Sequence, residues 1–203
     1  MGYNSFRPSQ RIPPIVLNLI IINVIVFVAQ MALDGPDHVL TNFLALYPIN
    51  SGFFKPYQLV THMFAHGGFL HILFNMYALW LFGSVLERIW GPKKFLIFYF
   101  ICGLAAGLTQ AFLVSNAPAI GASGAIMGLL AAFAYTFPNT EFFILPFPFP
   151  IKAKYMAAIF AALDIFGGFS GGDDIAHFAH IGGLVMGLIL VIIWNRTDKK
   201  RFY

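Results

Sequence analysis

Charge is what this chain has little of. Asp, Glu, Lys and Arg make up 10% of its 203 residues, against about 25% in soluble domains. Twelve basic and eight acidic side chains cannot wet the surface of a fold this size. A water-soluble enzyme is therefore excluded, and so is a nucleic-acid-binding domain, despite the formal net charge of +4. Cysteine is nearly missing too, and the single Cys102 excludes a disulfide scaffold and a cysteine-based zinc site. No fixed-period repeat and no low-complexity tract occurs. What fills the sequence instead is apolar: AVILMFWYC reach 59%, above the roughly 45–50% of globular proteins, which also excludes a disordered chain. The composition is that of a polytopic membrane protein.

A helix crosses the hydrocarbon core with about 20 mostly apolar residues, within a range near 17–25. Six stretches qualify, at 15–33, 68–86, 95–114, 121–137, 153–169 and 175–194. Pro13-Pro14, Gly91-Pro92, Pro118, Pro138 and the proline-punctuated run 146–150 fall between them, and Gly167-Gly168 with Gly171-Gly172 are expected to end the fifth. The first stretch is too long for a removable signal peptide and lacks a small-residue cleavage site, so it reads as a retained anchor. The expected fold is all-α, a six-transmembrane-helix bundle at 15–195 with a short tail at 1–14 and a basic tail at 196–203.

Basic residues orient this bundle. With the N-terminus inside, the inner segments hold Arg7, Arg11, Arg88, Lys93, Lys94, Lys152, Lys154, Arg196, Lys199, Lys200 and Arg201, and the outer segments hold Lys55. Lys and Arg stay on the side of synthesis, so both termini are expected inside. The longest connection, about 34–66, is then outside. Its Phe43, Leu44, Phe53 and Phe54 suit a segment lying in the membrane interface.

Polar groups inside a span are costly and mark function. The second span carries His71 and Asn75, the fourth Ser123, the fifth Asp164, and the sixth His177 and His180. Spans two, four and six all run from outside to inside, so His71, Ser123 and His180 share one depth below the outer surface. Ser123 lies in Gly121-Ala122-Ser123-Gly124 at a helix start, where unpaired N–H groups and the positive end of the dipole suit a developing oxyanion. Its alternative reading is a helix N-cap or a small packing residue. At 100° per residue, Gly183 and Gly187 lie about 60° and 20° from His180 around the helix, so that histidine shares a face with a close-packing seam. His177 sits farther round and is the poorer candidate. His71 and Asn75, four apart, share a face and can both donate hydrogen bonds.

His62, His66 and His71 could suggest a metal, but no H-E-x-x-H motif and no nearby carboxylate accompany them. Asp164, near the outer end of its span, is expected to cap loop groups. Joined, the residues describe a serine hydrolase within the membrane: Ser123 as nucleophile, His180 as general base and then acid, and the Ser123 amide with His71 and Asn75 for the oxyanion. With Asp173 and Asp174 in a loop, no acid is expected beside His180, so the prediction is a dyad. No cofactor or metal is expected.

Thr61-His62-Met63-Phe64-Ala65-His66-Gly67-Gly68-Phe69-Leu70-His71-Ile72-Leu73-Phe74-Asn75-Met76, then Gly121-Ala122-Ser123-Gly124, then Ala179-His180-Ile181-Gly182-Gly183 resembles the rhomboid family of intramembrane serine proteases. Gly83 to Gly91, containing Glu87-Arg88, fits the same family, and the resemblance covers about residues 14–195. It implies cleavage in or beside a substrate's transmembrane helix, with water from a cavity on the outer side, by Ser123 and His180 assisted by His71 and Asn75. Two positions depart from the pattern. Tyr57-Gln58 stands where many members carry Trp-Arg in the first outer loop, and Met127 stands where many carry Tyr one turn after the nucleophile.

The partners implied are membrane-protein substrates and the lipid bilayer, with no nucleic acid, and the expected location is a bacterial inner membrane. Entry is expected between the second and fifth spans, gated by the fifth span and the glycine-rich 168–174 loop. Other readings are an inactive rhomboid-like chaperone or dislocation factor, which should lack the dyad, and a six-span transporter, which should show polar groups near the midplane. An intramembrane aspartyl protease would need Gly-x-Gly-Asp, and Ser170-Gly171-Gly172-Asp173 misses its first glycine.

Overall fold

The computed structural model describes residues 11–114, 117–143, 149–170 and 175–197. Its helices are α1 (Pro14–Leu33), α2 (Val39–Leu44), α3 (Gln58–Thr61), α4 (Phe69–Ala78), α5 (Ser84–Trp90), α6 (Pro92–Leu113), α7 (Ser123–Thr136), α8 (Ala153–Ser170) and α9 (His177–Thr197). One π turn, Leu79–Gly83, joins α4 to α5 into a continuous helix from Phe69 to Trp90. Each of the six apolar stretches falls on one of these long elements. Four of them, Pro14–Leu33, Phe69–Trp90, Pro92–Leu113 and His177–Thr197, are long and apolar enough to cross a membrane.

The surface is greasy where it would meet lipid. Along α1, Leu17, Ile21, Val24, Ile25, Val28 and Met31 are exposed, while the opposite face buries Val16, Leu19, Asn23 and Gln30. The Glu87 carboxylate holds the start of α1 by accepting from the Ile15 and Val16 amides at 3.0 and 2.8 Å. Those are N–H groups that a helix leaves orphaned at its first turn.

At the centre stands α7, buried from Gly124 to Ala134. Its 14 residues make about 21 Å, short of the roughly 30 Å of a bilayer core. Glycines let its neighbours close in. A Cβ on Gly183 would collide with the Gly124 backbone, and one on Gly187 would stand 2.5 Å from the Gly128 Cα. On the other side, a Cβ on Gly128 would meet Cys102 Sγ at 2.6 Å. The seam read along Gly183 and Gly187 is thus the contact between α9 and α7.

Two elements differ from expectation. Gly167-Gly168 does not end the fifth stretch, because α8 continues to Ser170. The position is small for another reason: a Cβ on Gly167 would overlap the His177 ring. The linker between α7 and α8 also contains a hairpin, β1 (Glu141–Phe143) against β2 (Pro150–Lys152), antiparallel with Glu141 opposite Lys152 and Phe143 opposite Pro150. Phe142 anchors it against Phe82 and Phe133 at 5.7 and 5.5 Å between rings. Of the expected tails at 1–14 and 196–203, residues 1–10 and 198–203 lie outside the described residues, as does 171–174 of the expected gate loop at 168–174.

Candidate active site

The segment before α7 is held from two sides. Leu46 and Ala119 exchange backbone hydrogen bonds at 2.9 Å, and the Gly121 amide donates to the His62 carbonyl at 2.8 Å. Gly121 then turns at φ +124°, a conformation L side chains rarely adopt. A Cβ there would also stand 2.8 Å from His71 Nε2 and 3.6 Å from Ser123 Oγ. Backbone geometry and crowding both demand glycine, and the turn delivers Ser123 to the first position of α7 with His71 beside it.

Ser123 Oγ lies 2.7 Å from His180 Nε2. Behind the imidazole stands a carboxylate: His180 Nδ1 is 2.9 Å from Asp164 Oδ1. His177 Nδ1 approaches the same oxygen, also at 2.9 Å. The expectation that no acid borders His180, and that Asp164 caps a loop, is corrected by these contacts. A carboxylate within apolar helices requires a paired partner, and α8 carries Asp164 to the depth where α9 presents two imidazoles.

The hydrogen bonds also assign protons. An ionised carboxylate only accepts, so His180 carries its proton on Nδ1 and leaves Nε2 as the acceptor for the Ser123 hydroxyl. For His71 the logic is reversed. Its Nδ1 accepts from the Gly67 amide at 3.2 Å, so Nε2 bears the proton and faces the space between Gly121 and Ser123. Asn75, buried one turn deeper, donates one amide N–H to the His71 carbonyl at 2.8 Å. Met127, one turn beyond Ser123, is buried in the core cluster.

His62 and His66, the other two histidines of the run 62–71, are held by backbone contacts. His62 Nδ1 donates to the Gln58 carbonyl at 2.8 Å, and burial pushes its pKa down to about 4. His66 is likewise pushed down to about 4, by burial first and by the neighbouring His71 second. Both are neutral at pH 7. His66 is clamped to α1, its amide donating to Gln30 Oε1 at 3.0 Å while Gln30 Nε2 donates to the His66 carbonyl at 3.3 Å.

Gln58 staples the preceding loop. It accepts from the Lys55 amide at 3.0 Å and donates to the Phe53 carbonyl at 3.2 Å. Tyr57 stacks on Phe43 with ring centres 5.1 Å apart. A cavity of about 1200 Å³ has a lining that includes Thr41, Gly67, His71, Gln110, Gly168 and His177.

A rhomboid-domain family model matches residues 54–197. The chain belongs to the rhomboid family. It is 31% identical over 150 residues to Rhomboid protein 1, mitochondrial, of Saccharomyces cerevisiae, covering 71% of this chain and 43% of that one. It is 29% identical over 210 residues to the human presenilin-associated rhomboid-like protein, mitochondrial, covering 97% and 53%. Rhomboid protease GluP of Bacillus subtilis is 34% identical over 132 residues, covering 64% and 24%. The chain therefore spans about half or less of the length of these relatives. It is an integral membrane protein of a family that includes a protease. Mitochondrial proteins stand among its relatives, so they do not support the expectation of a bacterial inner membrane.

Proposed function

We propose that this rhomboid-family chain is an intramembrane serine endopeptidase. The observation that carries the reading is the 2.7 Å contact of Ser123 Oγ with an imidazole whose other nitrogen sits on a carboxylate. Ser123 attacks the scissile carbonyl as His180 Nε2 takes its proton. Asp164 fixes the His180 tautomer and balances the imidazolium that forms. His180 then returns the proton to the leaving amine, and water entering from the cavity hydrolyses the acyl-enzyme by the same base. The tetrahedral oxyanion is met by the Ser123 amide at the start of α7, by the Nε2–H of His71 and by the second amide N–H of Asn75. Asp164 is thus a positioning residue, and the dyad becomes a triad.

The substrates proposed are membrane proteins whose transmembrane helix unwinds at the cut, with a small side chain there because the site is lined by glycine. The six apolar stretches are proposed as six spans, with both termini inside supported by the eleven-to-one bias of basic residues and the cavity on the outer face. Entry between α4 and α8 is supported by their packing: α8 contacts α9, α7 and β2, with at most marginal contact to α4 among the described residues. The test is cleavage of a transmembrane substrate in liposomes by the parent chain, Ser123→Ala and His180→Ala. Loss of cleavage in both variants supports the assignment, and cleavage at the parent rate by either overturns it.

A further inference from the structure

Proteolysis uses the groups behind His180 only in part. Asp164 Oδ1 accepts from Nδ1 of both His177 and His180, and the three donor atoms lie within 4.8 Å of one another. Two imidazole nitrogens and a carboxylate oxygen form a donor set suited to a zinc-class divalent ion. Bonds of about 2.0–2.2 Å around a tetrahedral ion place such atoms about 3.3 Å apart. Admitting an ion takes a parting of the 2.9 Å contacts by a few tenths of an ångström and an approach of the donor atoms that now span up to 4.8 Å, which side-chain rotation of His177 and Asp164 can supply. The cluster has a way in, because His177 lines the open cavity beside Gly167 and Gly168. It is enclosed enough to hold an ion, with side chains 7–17% exposed. Water from the cavity can fill the fourth position.

We propose that Asp164, His177 and His180 form an inhibitory site for a zinc-class divalent cation. The inference rests on the reading of Ser123 and His180 as nucleophile and base, and it adds a regulator of that site. Each neutral imidazole binds the ion through the Nδ1 lone pair, so its ring proton moves to Nε2. No electron is transferred and no net proton is lost. His180 Nε2 then faces Ser123 Oγ as a donor, the hydroxyl has no base for its proton, and attack stops. Withdrawing the ion returns the proton to Nδ1 and restores the base. His66 and His71, with rings 5.0 Å apart, are a second imidazole pair, but none of the potential metal-ligating groups among the described residues includes them. They are the control.

The test uses the full chain in detergent micelles with cobalt(II) as the probe. In a Ser123→Ala background, the visible bands of four-coordinate cobalt should rise to one ion per chain and vanish when zinc is added. They should be missing when His177→Asn, His177→Gln or Asp164→Asn is added to that background. This titration needs no catalysis, so it reads the site even if Ser123→Ala were to leave cleavage intact and sink the protease reading. In the parent chain, free zinc at about ten times its dissociation constant should slow cleavage about tenfold, reversibly on chelation. His177→Asn, compared with its own metal-free rate, should be insensitive. No cobalt binding, or bands or inhibition that survive His177→Asn and His177→Gln, would overturn the proposal.

Discussion

At the scale of single residues, the carboxylate of Asp164 decides which nitrogen of His180 can receive a proton. Replacing it with an amide leaves a group of the same shape that can both donate and accept, so the wrong imidazole tautomer becomes available. Asp164→Asn is expected to lower kcat by up to about 10,000-fold with little change in KM, the loss that the same substitution causes in serine–histidine–aspartate sites elsewhere. A kcat within twofold of the parent would reduce Asp164 to a packing residue. His71→Ala removes one of the proposed oxyanion donors and should cost on the order of 100-fold in kcat. Gly121→Ala tests the turn, since its Cβ would press on His71 Nε2 at a φ of +124°. Cleavage should drop about 100-fold while the chain stays helical by circular dichroism, since a displaced catalytic group costs about that much. The proposed nucleophile and base could be picked out because serine and histidine are conspicuous among glycines, and the structure brings them within 2.7 Å. Asp164 was not, although its signal was there: a membrane carboxylate needs a partner, and the two histidines of α9 supply it.

At the scale of elements, the loop between α1 and α4 and the glycine seam carry the site. His62 and His66, each with a pKa near 4, are buried neutral and sit outside the spans. Their folded-state values lie below the ordinary 6.5, so they favour folding fully above about pH 6.5, and that contribution is lost as pH falls toward 4. The loss should be roughly 2 kcal/mol per histidine at pH 5, read as a falling thermal midpoint in micelles. His62→Gln should flatten the slope, and an unchanged slope would contradict the account. In the seam, Gly183→Ala drives a methyl group into the Gly124 backbone. Overpacking of this kind costs about 1–3 kcal/mol and should lower the midpoint and cleavage together. Periodicity revealed the seam, since Gly183 and Gly187 flank the face of His180. The hairpin at 141–152 gave no such warning, because three-residue strands among prolines carry no period. Gly167 misled for a physical reason: its smallness serves the imidazole of His177 and does not stop a helix.

At the scale of the whole molecule, each of the six apolar stretches falls on a helix, four of them long and apolar enough to cross a membrane, because length, apolarity and flanking breakers suffice to recognise such an element. Distances between elements were beyond such reasoning. That α8 lies against α9 and nearly free of α4 follows from packing, and it makes the α4–α8 side the expected route for a substrate helix. Cross-linking cysteines placed on the exposed Leu70 of α4 and Leu163 of α8 should block cleavage of a transmembrane substrate, with recovery when the link is reduced. Undiminished turnover in the linked protein would move the entrance elsewhere. All of this depends on a hydroxyl made reactive by a particular imidazole. The direct measurement is covalent labelling by a fluorophosphonate, with the adduct located by mass spectrometry in the parent chain and in His180→Ala. The account predicts one adduct, on Ser123, lost when His180 is replaced. An adduct at another serine, or labelling of Ser123 undiminished in His180→Ala, would contradict it.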